Sequence, residues 1–158
     1  MSILCSDKTG TLTLNKMIIQ DETPIYEVGE TQYSLLRYAA MATRWREPAR
    51  DALDTLILDA CDIQSLEVIE QIDFTPFDPV LKRTEGTVRN ENGRIFSVTK
   101  GAPHVILQLC NDDEITRQCQ NDVYNLGIRG VRSIAVAKTD EMQKWKLLGK
   151  LKCLEKLS

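Results

Sequence analysis

RTEGTVRNENGRIFSVTK, Arg83 to Lys100, is the stretch on which the fold turns. Two extended runs, Arg83 to Arg89 and Arg94 to Lys100, flank Glu91-Asn92-Gly93, and an Asn-Gly pair suits a hairpin turn because both residues tolerate positive φ. The segment predicts two antiparallel strands. Just upstream, Val68, Ile72 and Phe74 fall on one side of a two-residue repeat, as a further strand requires. Downstream, Pro103 sits where the first turn of a helix accepts proline, and Val105, Ile106 and Leu109 supply its apolar stripe.

The period changes towards both ends. Thr31 to Thr43 carries Leu35, Leu36, Tyr38, Ala39 and Ala42, and predicts a helix. A second helical stretch, opened by Pro48, runs from Asp51 to Asp62, with Leu53, Leu56, Ile57, Ala60 and Cys61 on one face. A further helix is expected from about Asp113 to Leu126, stopped by Gly127, followed by strands at Val131 to Lys138 and Trp145 to Leu151. Strands grouped in the middle with helices around them indicate an α+β domain, an antiparallel β-sheet flanked by helices, rather than a βαβ alternation.

Composition narrows the function. The 158 residues, 42% of them hydrophobic, suffice for one independent core. A net charge of -3 with 27% charged residues offers no broad basic surface, which argues against nucleic acid as a partner. The five cysteines, Cys5, Cys61, Cys110, Cys119 and Cys153, are scattered, odd in number and never paired as CxxC, so reduced thiols are expected rather than disulfides or a zinc site. No apolar run approaches the roughly 20 residues of a membrane helix, and the amino terminus lacks the layout of a signal peptide, so this segment is not expected to enter a bilayer itself. His104, the one histidine, has no neighbouring ligand set and receives no role.

Met1 to Cys5 reads as a strand tip running into SDKTGTLT. A carboxylate just past such a strand, Asp7, stands where open sheets place ligands. It is able to attack a terminal phosphate once a magnesium ion neutralises the charge that would repel the two anions. Thr9 and Thr11 bring hydroxyls, and Gly10 admits the backbone close to phosphoryl oxygens. A plain surface turn is the competing reading of these residue types.

The match, however, is longer than a turn needs. CSDKTGTLT, Cys5 to Thr13, resembles the phosphorylation signature of P-type ATPases, and DKTGT arises by chance in a chain of this size on the order of one time in ten thousand. FTPFDPVLKRTE (Phe74 to Glu85), VTKGAP (Val98 to Pro103) and GVRSIAVAKT (Gly130 to Thr139) resemble nucleotide-domain motifs of the same family, in the family's order. The resemblance implies that Asp7 becomes an aspartyl phosphate, that Lys8 and Thr11 hold the phosphate, and that magnesium binds Asp7 and the Thr9 carbonyl. It further implies that Phe77 stacks on adenine, Lys82 and Lys100 line the pocket, Arg132 reaches the phosphates and Asp54 lies near the adenine amino group. Gly101, having no Cβ, leaves room beside Lys100 for a ligand to approach. Each residue alone has an ordinary alternative: Phe77 as core, Asp54 as a solvated helix residue, Lys82 as an exposed strand edge.

FDPVLKRTE with KGAPHVIL looks most like the proton-pumping plasma-membrane subclass. The implied parent is an integral membrane protein whose transmembrane, actuator and phosphorylation domains partner this cytoplasmic, ATP- and Mg2+-using segment. Residues 1–13 then read as a stub of the haloacid-dehalogenase-like phosphorylation domain, 14–142 as the nucleotide-binding domain and 143–158 as a truncated return to the phosphorylation domain. KWKLLGKLKCLEKLS departs from the family pattern, and its lysines fit either an exposed amphipathic stretch or a divergent end. Two other functions stay open. A free-standing phosphatase shares the aspartyl nucleophile, although it usually carries an acidic residue two positions on, where this chain has Thr9. A non-catalytic nucleotide-binding module is the other.

Overall fold

A computed structural model describes residues 15–19, 24–49, 51–118 and 131–157. The elements are β1 (Asn15–Ile19), α1 (Gln32–Met41), α2 (Ala52–Ala60), a 3-10 turn (Ile63–Leu66), β2 (Glu70–Thr75), β3 (Arg83–Arg89), β4 (Ile95–Gly101), α3 (Pro103–Cys110), β5 (Val131–Thr139) and β6 (Trp145–Leu157). Residues 113–118 are also helical. The six strands form one antiparallel sheet in the order β1-β6-β5-β4-β3-β2. The α+β architecture expected from the sequence is therefore present.

Alternation along β4 explains the layering. Phe96 and Val98 point to the side on which α1 packs through Leu35, Leu36, Ala39 and Ala40, with Ile57 of α2 and Val88, Val136 and Leu151 of the sheet completing that core. The other side carries α3, whose Ile106 and Leu107 pack on Ala135, Ala137 and Leu147. Burying each large aliphatic side chain contributes roughly 1.5–3 kcal/mol relative to leaving it in water.

The hairpin between β3 and β4 forms at the expected place, with Arg89 opposite Ile95. Of the Asn-Gly pair, only Gly93 takes positive φ, at 83°. Asn90 fixes the loop: its side chain accepts from the N–H groups of Asn92 and Arg94, at 3.0 and 2.9 Å. The turn between β5 and β6 repeats the device with Asp140, whose carboxylate accepts from Met142 and Lys144 N–H, while Gln143 takes φ 63°. The hydrogen bond from the Lys144 N–H is the main reason the Asp140 carboxyl lies below the ordinary carboxylate range.

Three sequence expectations change. Pro48 does not open α2; it sits in the connecting loop, and Asp51 starts the helix by accepting from the Asp54 N–H at 2.8 Å. NKMII, Asn15–Ile19, forms a strand that local pattern does not announce, because its partner is β6 at the far end of the chain. The lysine-rich stretch is exposed only at its start: Lys144 and Lys146 are exposed, whereas Lys150 and Lys152 are buried in β6, which lies between β1 and β5. The expected helix to Leu126 is seen through residue 118, and the remainder lies outside the described residues.

Cys61, Cys110 and Cys153 are thiols, with no disulfide among the described residues. Burial pushes the Cys61 thiol up to about 11, against the lowering influence of Arg37. At pH 7.5 Cys61 should accordingly react with iodoacetamide about a hundredfold more slowly than an unperturbed thiol, since the thiolate is the nucleophile. Mass-spectrometric labelling kinetics check this, and a rate equal to that of a free thiol would contradict it.

Candidate functional site

Asp54 and Lys100 meet although 46 residues separate them. Asp54 sits in the first turn of α2, where the helix N-terminus favours a carboxylate. Lys100 sits near the end of β4 on the face that α1 and α2 cover, two residues beyond Val98. Its Nζ lies 3.0 Å from Asp54 Oδ1, with the two side chains 5% and 13% exposed. That Oδ1 is itself buried, so the contact is an ion pair shielded from solvent.

Across the ladder, Thr84 stands opposite Lys100 and donates its hydroxyl to the Ala42 carbonyl at 2.6 Å, tying β3 to the C-terminal end of α1. Neighbouring Gly101 is needed for close approach: a Cβ there would lie 2.5 Å from the Lys82 carbonyl oxygen and 2.8 Å from the Arg83 Cβ. The same carbonyl accepts from the Ala102 N–H at 3.4 Å. Lys82 is thereby held against the β4 end that carries Lys100 and Gly101, with its side chain exposed and its φ at 59°.

Phe77 is no core residue. It stands on the loop between β2 and β3, 58% exposed. Gly101 is thus filled from one side by the Lys82 backbone, which differs from the sequence reading of Gly101 as open space for a ligand. Of the other expected residues, the backbone of Arg132 lies in β5 opposite Cys153. Asp7, Lys8, Thr9 and Thr11, and with them the expected magnesium ligands, lie outside the described residues. Among the described residues no group of three or more His, Cys, Asp or Glu side chains could hold a metal ion.

Cavities among the described residues lie elsewhere. One of about 480 Å3 is lined by Arg44, Trp45, Ile69 and Gln71 among others, and one of about 460 Å3 by Glu27, Glu30, Lys138 and Asp140 among others. Neither is lined by Asp54, Phe77, Lys82 or Lys100. Sequence reasoning missed Thr84, whose threonine-rich surroundings carry no distinguishing local signal, and the direct pairing of Asp54 with Lys100. No helix among the described residues is long and apolar enough to cross a membrane.

No family model matches the chain. Among curated proteins it is 50% identical over 157 residues to a protein named probable proton ATPase 1A of Leishmania donovani, covering 98% of this chain and 16% of that protein. It is 41% identical over 144 residues to a putative cation-transporting ATPase of Methanocaldococcus jannaschii, covering 87% of this chain and 17% of that one. With the plasma membrane ATPase of Neurospora crassa it shares 32% identity over 165 residues, 98% of this chain and 18% of the relative. The chain therefore spans between 16% and 18% of the length of these relatives. The homologues of this chain are proton- and cation-transporting P-type ATPases.

Proposed function

We propose that this segment binds ATP for a P-type ion-transporting ATPase, whose parent transfers the γ-phosphate to Asp7 to drive cation transport, of protons by its relatives' names, across a plasma membrane. In this reading residues 14–142 form the nucleotide-binding domain, 1–13 its hinge to the phosphorylation domain, and 143–158 the return. β6 pairs with both β1 and β5. The transmembrane, actuator and phosphorylation domains are the partners, and the segment itself is the cytoplasmic part.

One observation carries the proposal: a buried carboxylate, Asp54, is held in ion-pair contact with Lys100, one residue from the Gly101–Lys82 contact. A carboxylate is the residue type that accepts from the exocyclic amino group of adenine, and the two lysines suit a polyphosphate. Phe77, exposed on the adjoining loop, offers a ring face to a base. Arg132 is assigned to the phosphates and Gly101 to the close packing that positions Lys82. Magnesium, when bound at Asp7 and the Thr9 carbonyl, would supply charge neutralisation at the transferred phosphate.

Phe77→Ala should weaken ATP binding about tenfold to a hundredfold, from roughly 1–3 kcal/mol of lost stacking, while leaving the melting temperature unchanged because the ring is not in the core. An ATP titration of the isotope-labelled chain, followed amide by amide, measures both affinity and location. Unmoved amides around Phe77, Lys82 and Lys100 at millimolar ATP would sink the proposal.

A further inference from the structure

The loop that joins β2 to β3, residues 76–82, buries almost none of its apolar side chains. Phe77 is 58% exposed, Val80 86% and Leu81 45%. Hydrophobic packing therefore does little to set its shape, and a free loop of this length would sample many conformations. Its hydrogen bonds converge on one residue. The Asp78 carboxylate Oδ1 accepts from the Val80 N–H at 2.6 Å and the Leu81 N–H at 3.2 Å, and the Asp78 carbonyl accepts from the Lys82 N–H at 2.6 Å.

Pro79 follows Asp78 directly, so the turn has Asp at its first position and a preset φ at its second. The exit of the turn is also demanding. Lys82 takes φ 59°, a left-handed conformation that a lysine adopts only where its surroundings offset the cost. There the N–H of Lys82 is held by Asp78, and its carbonyl packs on Gly101. Asp78 is thus bonded to the backbone N–H groups of Val80, Leu81 and Lys82, and so links the residue next to Phe77 to the exit of the loop.

We infer that Asp78 is a positioning residue for the nucleotide: its turn holds Phe77 and Lys82 in the arrangement that ATP meets, so that binding does not have to order the loop. The inference rests on the ATP-binding reading above. Its contribution is preorganisation, which acts on affinity rather than on the stability of the fold.

Substitution separates the acceptor from the charge. In Asp78→Asn a side-chain oxygen remains in place to accept the same two N–H groups, and ATP affinity should stay within about twofold of the parent chain. Asp78→Ala removes the acceptor, and Asp78→Glu keeps the charge but displaces the oxygen by a methylene. Both should weaken ATP binding about fivefold to tenfold, the scale of one or two lost hydrogen bonds, with melting temperatures within about 2 °C of the parent.

The assay is ATP titration of the 158-residue chain by NMR, with thermal unfolding of each variant beside it. Weaker binding in Ala and Glu, with Asn near the parent, supports the inference. Unchanged affinity in Asp78→Glu or Asp78→Ala overturns it, as does an Asn variant as weak as Ala, or a fall in melting temperature without a fall in affinity. Should Asp78→Ala fail to fold, Glu against Asn decides. A parent chain that does not bind ATP at all refutes the ATP-binding reading instead, before any variant is compared.

Discussion

Lys100→Glu should lower the stability of this chain by about 3–5 kcal/mol, the cost of removing one partner from a buried ion pair. The substitution leaves Asp54, 13% exposed, facing a second carboxylate in place of an ammonium at 3.0 Å. Neither group has water enough to screen the repulsion, and the first turn of α2 carries the strain. A domain of this size stands roughly 5–15 kcal/mol above its unfolded state, so a loss on this scale lowers the melting temperature by about 10–20 °C. Urea unfolding measures it. Replacing both partners, as Asp54→Leu with Lys100→Met, should recover most of the loss, because two apolar groups leave no unpaired charge. A Lys100→Glu chain within about 1 kcal/mol of the parent would show the pair to be accessible to solvent after all.

The next largest effect is expected at Gly86 in β3. A Cβ there would stand 2.4 Å from the Met41 carbonyl oxygen and 3.4 Å from its carbon. Both neighbours are main chain, so no side chain can swing aside; the C-terminal end of α1 itself must move. Gly86→Ala should cost about 2–3 kcal/mol, the upper part of the range for overpacking. The damage should spread, because the same end of α1 receives Gln71 Nε2 at the Thr43 carbonyl, 2.8 Å, and Thr84 Oγ1 at the Ala42 carbonyl, 2.6 Å. Gly93→Ala is the control. Nothing lies within 4 Å of its Cβ position, and only the positive φ of 83° resists, which costs roughly 1 kcal/mol. Equal losses at the two glycines would contradict the close approach of α1 to β3.

Residues near in sequence made the sheet readable in advance. The β3–β4 hairpin is written in two extended runs with Asn92-Gly93 between them, and α3 in Pro103 followed by Ile106. Helix α1 follows from its apolar face, closed at Thr31, which accepts from the Ser34 N–H at 3.2 Å. What stayed hidden depends on distant partners. Five residues, Asn15–Ile19, have no strand signature until β6 stands beside them, and Lys150 looks like a surface residue until β1 and β5 enclose its strand. The site divides in the same way. Lys82, Lys100 and Gly101 are adjacent across one ladder that the hairpin predicts. Asp54 reaches them only through the packing of α2, a tertiary event that no local periodicity encodes.

Asn15 stands opposite Leu157 and Ile19 opposite Cys153, so the first and last described strands run side by side in opposite directions. The path into the sheet and the path out of it therefore cross a single narrow neck. A force applied there acts on two neighbouring points of the backbone. Tension that drives the two flanks apart instead meets the β1–β6 rungs in succession, and the outermost, Asn15 with Leu157, is the first to part.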